Sequence, residues 1–197
     1  MWCTALWSNE NTQPLQWGMA LAVSLAAAVL DIRSRRIPNW LTGPALLGGL
    51  TCAVIVAGLP GLADALVAVV VLMAPYFLLF LLAGGGAGDA KLMAALGAWL
   101  GLTNGLFALA GVCLAGGVLG ILYAGFQGRL KEVGRNLAGM VLALWWFVVG
   151  RGRVVSLEQT RLPLTGSRTK MPYGVAVLVG TAVAAIGVML WRSKIAP

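Results

Sequence analysis

The sequence predicts an all-α protein that crosses a membrane several times, and two observations carry that prediction. Of the 197 residues, 60% are hydrophobic and only 10% are charged, whereas soluble domains carry about 25% charged residues. Long apolar runs recur from one end of the chain to the other, with a mean hydropathy of +0.90. Because a helix satisfies its own backbone hydrogen bonds in lipid, we expect a single membrane-embedded domain over residues 1–197.

Six apolar stretches are the predicted transmembrane helices. They cover residues 15–30, 40–59, 62–83, 90–102, 106–126 and 173–191. A seventh apolar stretch, 137–150, is short for a span, which needs about 20 residues. We therefore interpret it as an interfacial or re-entrant helix within a cytoplasmic loop that covers residues 126–172.

The basic residues predict the orientation of these spans. The chain has 14 Lys and Arg against 6 Asp and Glu, a net charge of +8, and all the basic residues except Arg192 and Lys194 lie in or beside alternate loops. By the positive-inside rule those loops face the cytoplasm. No basic stripe interleaved with aromatic residues indicates nucleic-acid binding, so the lipid bilayer is an expected partner and nucleic acid is not.

Missing residue types exclude several reaction classes. The chain contains no His, which removes Ser-His, Cys-His and His-ligated metal chemistry. Its three cysteines, Cys3, Cys52 and Cys113, form no CxxC pair, so neither a zinc site nor a disulfide framework is expected. We expect no metal and no cofactor.

Two acidic residues differ from the others in their position. Asp31 and Asp89 each lie where an apolar helix meets a cytoplasmic loop, so the topology places both at one membrane face. Each also has a purely structural interpretation, Asp31 as the ion-pair partner of Arg33, Arg35 or Arg36, and Asp89 as a helix cap. Capping does not explain the four glycines just before Asp89, which predict unusual backbone conformations and room for an extended substrate.

Two carboxylates at one site are sufficient for peptide hydrolysis. When close together they share one proton. The ionised carboxylate takes a proton from water, and the neutral one protonates or hydrogen-bonds the scissile carbonyl oxygen. A third acid, Asp64, follows Pro60 and Gly61, where it is expected to cap the third helix.

Three stretches of the sequence have a motif-like composition around Asp31 and Asp89 and at the last helix: residues 86–92 read GAGDAKL, residues 31–39 read DIRSRRIPN, and residues 171–174 read MPYG. They resemble the motifs of prepilin peptidases, the type IV leader peptidase family of GxGD aspartic proteases. GAGDAKL resembles the GxGD motif in its extended GDxKL form, DIRSRRIPN the first family motif, and MPYG the third. The motifs occur in the family's order and span nearly the whole chain.

The resemblance implies a membrane aspartic endopeptidase that cuts the leader peptide from type IV prepilin-like precursors, on the cytoplasmic side of the bacterial inner membrane. Asp31 and Asp89 would be the catalytic pair, and the precursor the protein partner. Several further residues would bind substrate or shape loops, unless they serve only packing or turn formation: Gly86, Gly88, Lys91, Pro38, Asn39, Pro172 and Tyr173.

The chain departs from the bifunctional members, which carry an N-terminal CxxC…CxxC zinc site and also methylate the mature pilin. Its size resembles the short form found with tight-adherence (Flp) pili, which predicts cleavage without methylation. Two alternatives remain open. One is a broader GxGD intramembrane protease of the signal-peptide-peptidase type, and the other is a non-enzymatic membrane scaffold or small transporter whose Asp binds a cation or proton.

Overall fold

Helices make up almost all of the described chain. The computed structural model describes residues 12–83, 86–126 and 173–195. They form α1 (Gln13–Ser34), α2 (Asn39–Ala83), α3 (Ala87–Phe126) and α4 (Tyr173–Ile195). No strand occurs within these ranges, so the prediction of an all-α protein is confirmed.

The number of helices differs from the prediction. All four described helices are long and apolar enough to cross a membrane, whereas six spans were predicted. The predicted second and third spans both lie in α2, and the fourth and fifth both lie in α3. The physical reason is that single non-helical glycines, not polar loops, separate them: Gly58 (φ 64°, ψ −152°) and Gly101 (φ 67°, ψ −176°). Glycine is the residue that adopts positive φ without steric cost.

At Gly58 the chain of α2 turns back on itself. A Cβ atom added to Gly61 would lie 2.7 Å from the carbonyl oxygen of Ala53, and Ala53 shares a small buried cluster with Ala65. In a straight helix Ala53 would lie about 12 Å from Gly61 and about 18 Å from Ala65 along the axis. The two arms of α2 therefore lie side by side as a helical hairpin.

Glycines allow the helices to approach closely. A Cβ on Gly49 would lie 2.8 Å from the backbone of Ala98, and Gly111 of α3 meets Gly180 of α4 backbone to backbone. Small residues at such crossings are typical of helix packing in membranes, where close contact replaces the hydrophobic effect. Not every glycine is needed for packing, because a Cβ on Gly117 would meet no described atom within 4 Å.

The apolar residues divide between a buried core and an exposed outer surface. The first arm of α3 is central to the core, and its fully buried side chains include Leu92, Met93, Leu96 and Leu100. Large apolar side chains are also exposed on every helix, as at Leu25, Ile55, Leu114 and Ile186. Such a surface suits lipid rather than water, and together with the four apolar helices it describes a multi-pass membrane protein.

The contacts divide the chain into two compact units. Residues 1–116 and 171–197 form the first, and residues 117–170 form the second. Every residue predicted for the active site belongs to the first unit. The predicted interfacial helix at 137–150, and Pro172, lie outside the described residues. The assignment of residues 1–197 to a single domain stays a prediction.

Candidate active site

Asp31 lies in the last turn of α1, with its side chain buried. The helix ends because Arg35 adopts a left-handed conformation (φ 50°) and donates its N–H to the Asp31 carbonyl at 2.8 Å, a common way of closing a helix. The side chain of Asp31 is 8% exposed, whereas Arg33, Arg35 and Arg36 are exposed. Within the described residues no ion pair joins Asp31 to these arginines, so the ion-pair interpretation gains no support.

The carboxylate of Asp31 is instead bound by the start of α4. The backbone N–H of Gly174 donates to Asp31 Oδ2 at 2.8 Å. It belongs to the first turn of α4, where backbone N–H groups have no partner within the helix and the helix dipole favours a negative charge. A Cβ on residue 174 would lie 3.0 Å from Ala28 Cα and 3.0 Å from Asp31 Cβ. The absence of a side chain is thus what allows α4 to begin against α1.

Asp89 lies in the first turn of α3, as predicted for a residue that opens a helix. Its backbone N–H donates to the Gly86 carbonyl at 3.2 Å, and its side chain is half-buried. A Cβ on Gly86 would lie 3.1 Å from Asp89 Oδ2, and a Cβ on Gly88 would lie 3.2 Å from Ile37 Cβ. Glycine at these two positions leaves room for the carboxylate and for Ile37.

The glycines with positive φ in the described chain are Gly58 and Gly101. At Gly86 and Gly88 the structure shows a need for space, because a Cβ there would crowd Asp89 and Ile37. That the glycine run serves unusual backbone conformations stays a prediction. Gly84 and Gly85 lie outside the described residues.

Contacts between the first and second motifs bring Asp31 and Asp89 to the same end of the helix bundle. Ile37 of the first motif packs on Gly88 of the second. Lys91 Nζ donates to Asn39 Oδ1 at 2.9 Å. Two motifs that are remote in sequence, each with one of the acids, thus pack against each other.

Three other predicted site residues, Pro38, Asn39 and Lys91, make local contacts near these acids. Pro38 precedes α2, and its carbonyl accepts the N–H of Leu41 at 3.2 Å, so Pro38 begins that helix. Asn39 is the first residue of α2, and its exposed side chain bonds the exposed Lys91. Neither contact involves a carboxylate. Pro38 forms a turn, and the Asn39–Lys91 bond joins two segments.

Tyr173 begins α4 and has a partner that sequence analysis did not predict. Its hydroxyl lies 3.4 Å from the hydroxyl of Tyr76 in α2, and the two rings pack edge to face with their centroids 6.0 Å apart. The sequence contains a feature that could have predicted this contact, because Tyr76 is a hydroxyl-bearing residue within an apolar span. A buried tyrosine hydroxyl in a membrane needs a partner.

A groove of about 770 Å³ lies between α3 and α4, and Asn104 and Arg192 are among its lining residues. Neither Asp31 nor Asp89 lines it. Asn104 donates to Gln16 at 3.3 Å, near the start of α1, whereas Asp31 is near its end. Among the described residues no group of three or more His, Cys, Asp or Glu could hold a metal ion. The arrangement around Asp31 and Asp89 is a pair of acids, suited to moving protons.

The comparisons with known proteins give one match. The model of a family described as the type IV leader peptidase family matches residues 19–121. The match covers more than half of the chain and contains both Asp31 and Asp89. No curated protein and no solved structure matches the chain.

Proposed function

The chain belongs to the type IV leader peptidase family, and from this membership and the site geometry we propose that it is an aspartic endopeptidase with Asp31 and Asp89 as its catalytic pair. The observation that carries the proposal is the packing of the two motifs that contain these acids, in which Ile37 lies against Gly88 and Lys91 donates to Asn39 at 2.9 Å. Its substrates are prepilin-like precursors, from which it removes the leader peptide.

The proposed reaction is hydrolysis by two carboxyl groups that share one proton. The ionised carboxylate takes a proton from a water molecule, whose oxygen bonds to the carbon of the scissile carbonyl. The neutral carboxyl group donates its proton to the carbonyl oxygen. When the tetrahedral intermediate collapses, the C–N bond breaks and the leaving nitrogen takes up the proton that the first carboxylate took from water. One hydroxyl group of the intermediate gives its proton to the other carboxylate as the new C=O forms, which restores the shared proton. No metal and no covalent intermediate is needed.

The location of the pair favours cleavage at the membrane surface. Asp31 lies in the last turn of α1, next to the exposed residues 32–36, and three of these are arginines. Basic residues stay on the cytoplasmic side, so we place the site at the cytoplasmic face of the bacterial inner membrane. The alternative of a signal-peptide-peptidase type, with cleavage inside a span, would need the first Asp deeper in its helix.

The direct test uses purified protein in lipid nanodiscs with a prepilin-like precursor. Asp31→Asn and Asp89→Asn each keep the size of the side chain but remove its acid-base function. Each should lower the cleavage rate by roughly 10²- to 10⁴-fold, the usual contribution of a general acid or base, without changing the melting temperature. Asp64→Asn is the matched control, because Asp64 is an acid in the same unit that lies outside the pair.

Three results would count against this proposal. A single Asp31→Asn or Asp89→Asn protein that cleaves at the normal rate would remove the paired-acid mechanism. Inhibition of the purified protein by EDTA would indicate a metal. A wild-type protein that is folded but cleaves no prepilin-like precursor would favour the scaffold or transporter interpretation.

A further inference from the structure

Tyr76 is a buried polar residue that the proposed reaction does not use. Its side chain is 6% exposed on an otherwise apolar stretch of α2. Its hydroxyl meets the hydroxyl of Tyr173 at 3.4 Å. A hydroxyl without a hydrogen bond costs free energy in an apolar interior, so the Tyr76–Tyr173 contact constrains both side chains.

The Tyr173 side chain is held from a second direction by α3. A Cβ on Gly116 would lie 2.8 Å from the Tyr173 hydroxyl and 3.2 Å from its Cε2 atom. The ring therefore lies against the backbone of Gly116 on one side and contacts Tyr76 edge to face on another. With α2 and α3 both contacting the ring, Tyr173 has little freedom to move.

The residue after Tyr173 binds Asp31. Gly174 donates its N–H to Asp31 Oδ2 at 2.8 Å. That N–H belongs to the planar peptide group that joins Tyr173 to Gly174. A displacement of the Tyr173 ring is therefore passed through a single peptide group to the hydrogen bond on the carboxylate. Tyr76 is too deeply buried to reach a substrate, but it is connected to Asp31 by this route.

We infer that Tyr76 is a positioning residue of the active site: its hydroxyl holds Tyr173, and through the Gly174 amide it sets the orientation of the Asp31 carboxylate. The inference rests on the proposed function, in which Asp31 is one of the two catalytic acids. A residue that only packs would support the stability of the fold. A positioning residue affects turnover in a protein that is still folded and still binds its substrate.

The first test separates turnover from binding and stability. Tyr76→Phe keeps the ring and removes the hydroxyl. It should lower kcat by roughly 3- to 10-fold, the effect of one hydrogen bond, with KM changed less than about 2-fold on the same basis. Tyr173→Phe should do the same, and the double variant should be no slower than the slower single variant, because both changes remove one shared bond. Thr51→Val, which removes from the same helix as Tyr76 an exposed hydroxyl whose partner is the Leu47 carbonyl, is the matched control and should have wild-type kcat.

Two adjacent glycines of α3 provide an independent pair of variants. Gly116→Ala places a methyl group against the Tyr173 ring, whereas Gly117→Ala places it where no described atom lies within 4 Å. Both changes are chemically identical and occur in the same helix. We expect Gly116→Ala to lower kcat like Tyr76→Phe, and Gly117→Ala to leave it at the wild-type value.

A second measurement does not depend on activity. Hydrogen–deuterium exchange of the Gly174 amide reports its bond to Asp31, and it should be faster in Tyr76→Phe and Gly116→Ala than in the two control variants. Wild-type exchange at Gly174 in Tyr76→Phe, or faster exchange with an unchanged kcat, overturns the inference. If the wild-type protein cleaves nothing, the proposed function fails, and the exchange rates alone decide whether Tyr76 holds the contact to Asp31.

Discussion

A single methyl group at position 174 is expected to disturb the active site more than the fold. In Gly174→Ala the new Cβ would lie 3.0 Å from Ala28 Cα and 3.0 Å from Asp31 Cβ, so the start of α4 must move away from α1 by a few tenths of an ångström. Overpacking of this kind costs about 1–3 kcal/mol, while alanine in place of glycine returns about 1 kcal/mol of helix propensity. The net loss of stability is therefore small, about 0–2 kcal/mol.

The loss of activity is expected to be larger. The same movement stretches the 2.8 Å bond from the Gly174 N–H to Asp31 Oδ2. A hydrogen bond to a charged group contributes about 1.5–3 kcal/mol. If that interaction acts in the transition state, its loss lowers kcat by roughly 10- to 150-fold.

The control for this prediction lies on the same helix. A Cβ on Gly187 would meet no described atom within 4 Å, so Gly187→Ala makes the same chemical change without the steric contact. Initial rates of precursor cleavage and melting temperatures of the purified proteins are the measurements. If Gly174→Ala cleaves as fast as Gly187→Ala, the Gly174 amide does not orient a catalytic Asp31 and our reading of the third motif is wrong.

The remaining predictions concern the scaffold and the pH dependence. Asp64 accepts the N–H of Leu102 at 3.3 Å. Asp64→Ala should therefore lower the unfolding free energy by about 0.5–2 kcal/mol, the cost of losing a cap, and leave kcat unchanged. Equal stability of the variant and the wild-type protein would contradict this prediction. Gly58→Ala should destabilise by about 1–3 kcal/mol, because φ 64° and ψ −152° lie in a region open essentially only to glycine. A melting curve identical to wild type would exclude strain at that break. The Lys91–Asn39 bond joins two exposed side chains, so a double-mutant cycle should give a coupling of about 1 kcal/mol or less, and a much larger value would assign it a role beyond the scaffold. The cleavage rate should show a bell-shaped pH dependence, since one carboxyl group must be ionised and the other protonated; a rate that is independent of pH would contradict a shared proton.

Some parts of the structure could be predicted from local sequence. The apolar composition defines lipid as the solvent, and long apolar runs in lipid form helices, which satisfy their own backbone hydrogen bonds. Asp89 was placed at the start of a helix because a glycine run precedes it and an apolar run follows. These predictions succeeded because each depends on neighbouring residues alone.

Other parts depended on contacts between remote segments. Asp64 was expected to cap its own helix, but its carboxylate accepts the N–H of Leu102, just after the break at Gly101. Two separate spans, 40–59 and 62–83, were expected with a loop at Pro60 and Gly61, but the chain reverses at the single residue Gly58 inside one continuous element. A glycine in an apolar run has the same local appearance whether it breaks a helix or packs inside one.

The sequence by itself determined that this is a helical membrane protein of the leader peptidase type, with two acids at the ends of apolar segments. Only the tertiary structure decided what surrounds those acids. The group that binds Asp31 is a backbone N–H of Gly174, and every residue except proline carries such a donor. Which amide meets which carboxylate is set by how closely the helices pack, and no residue type in the sequence records it.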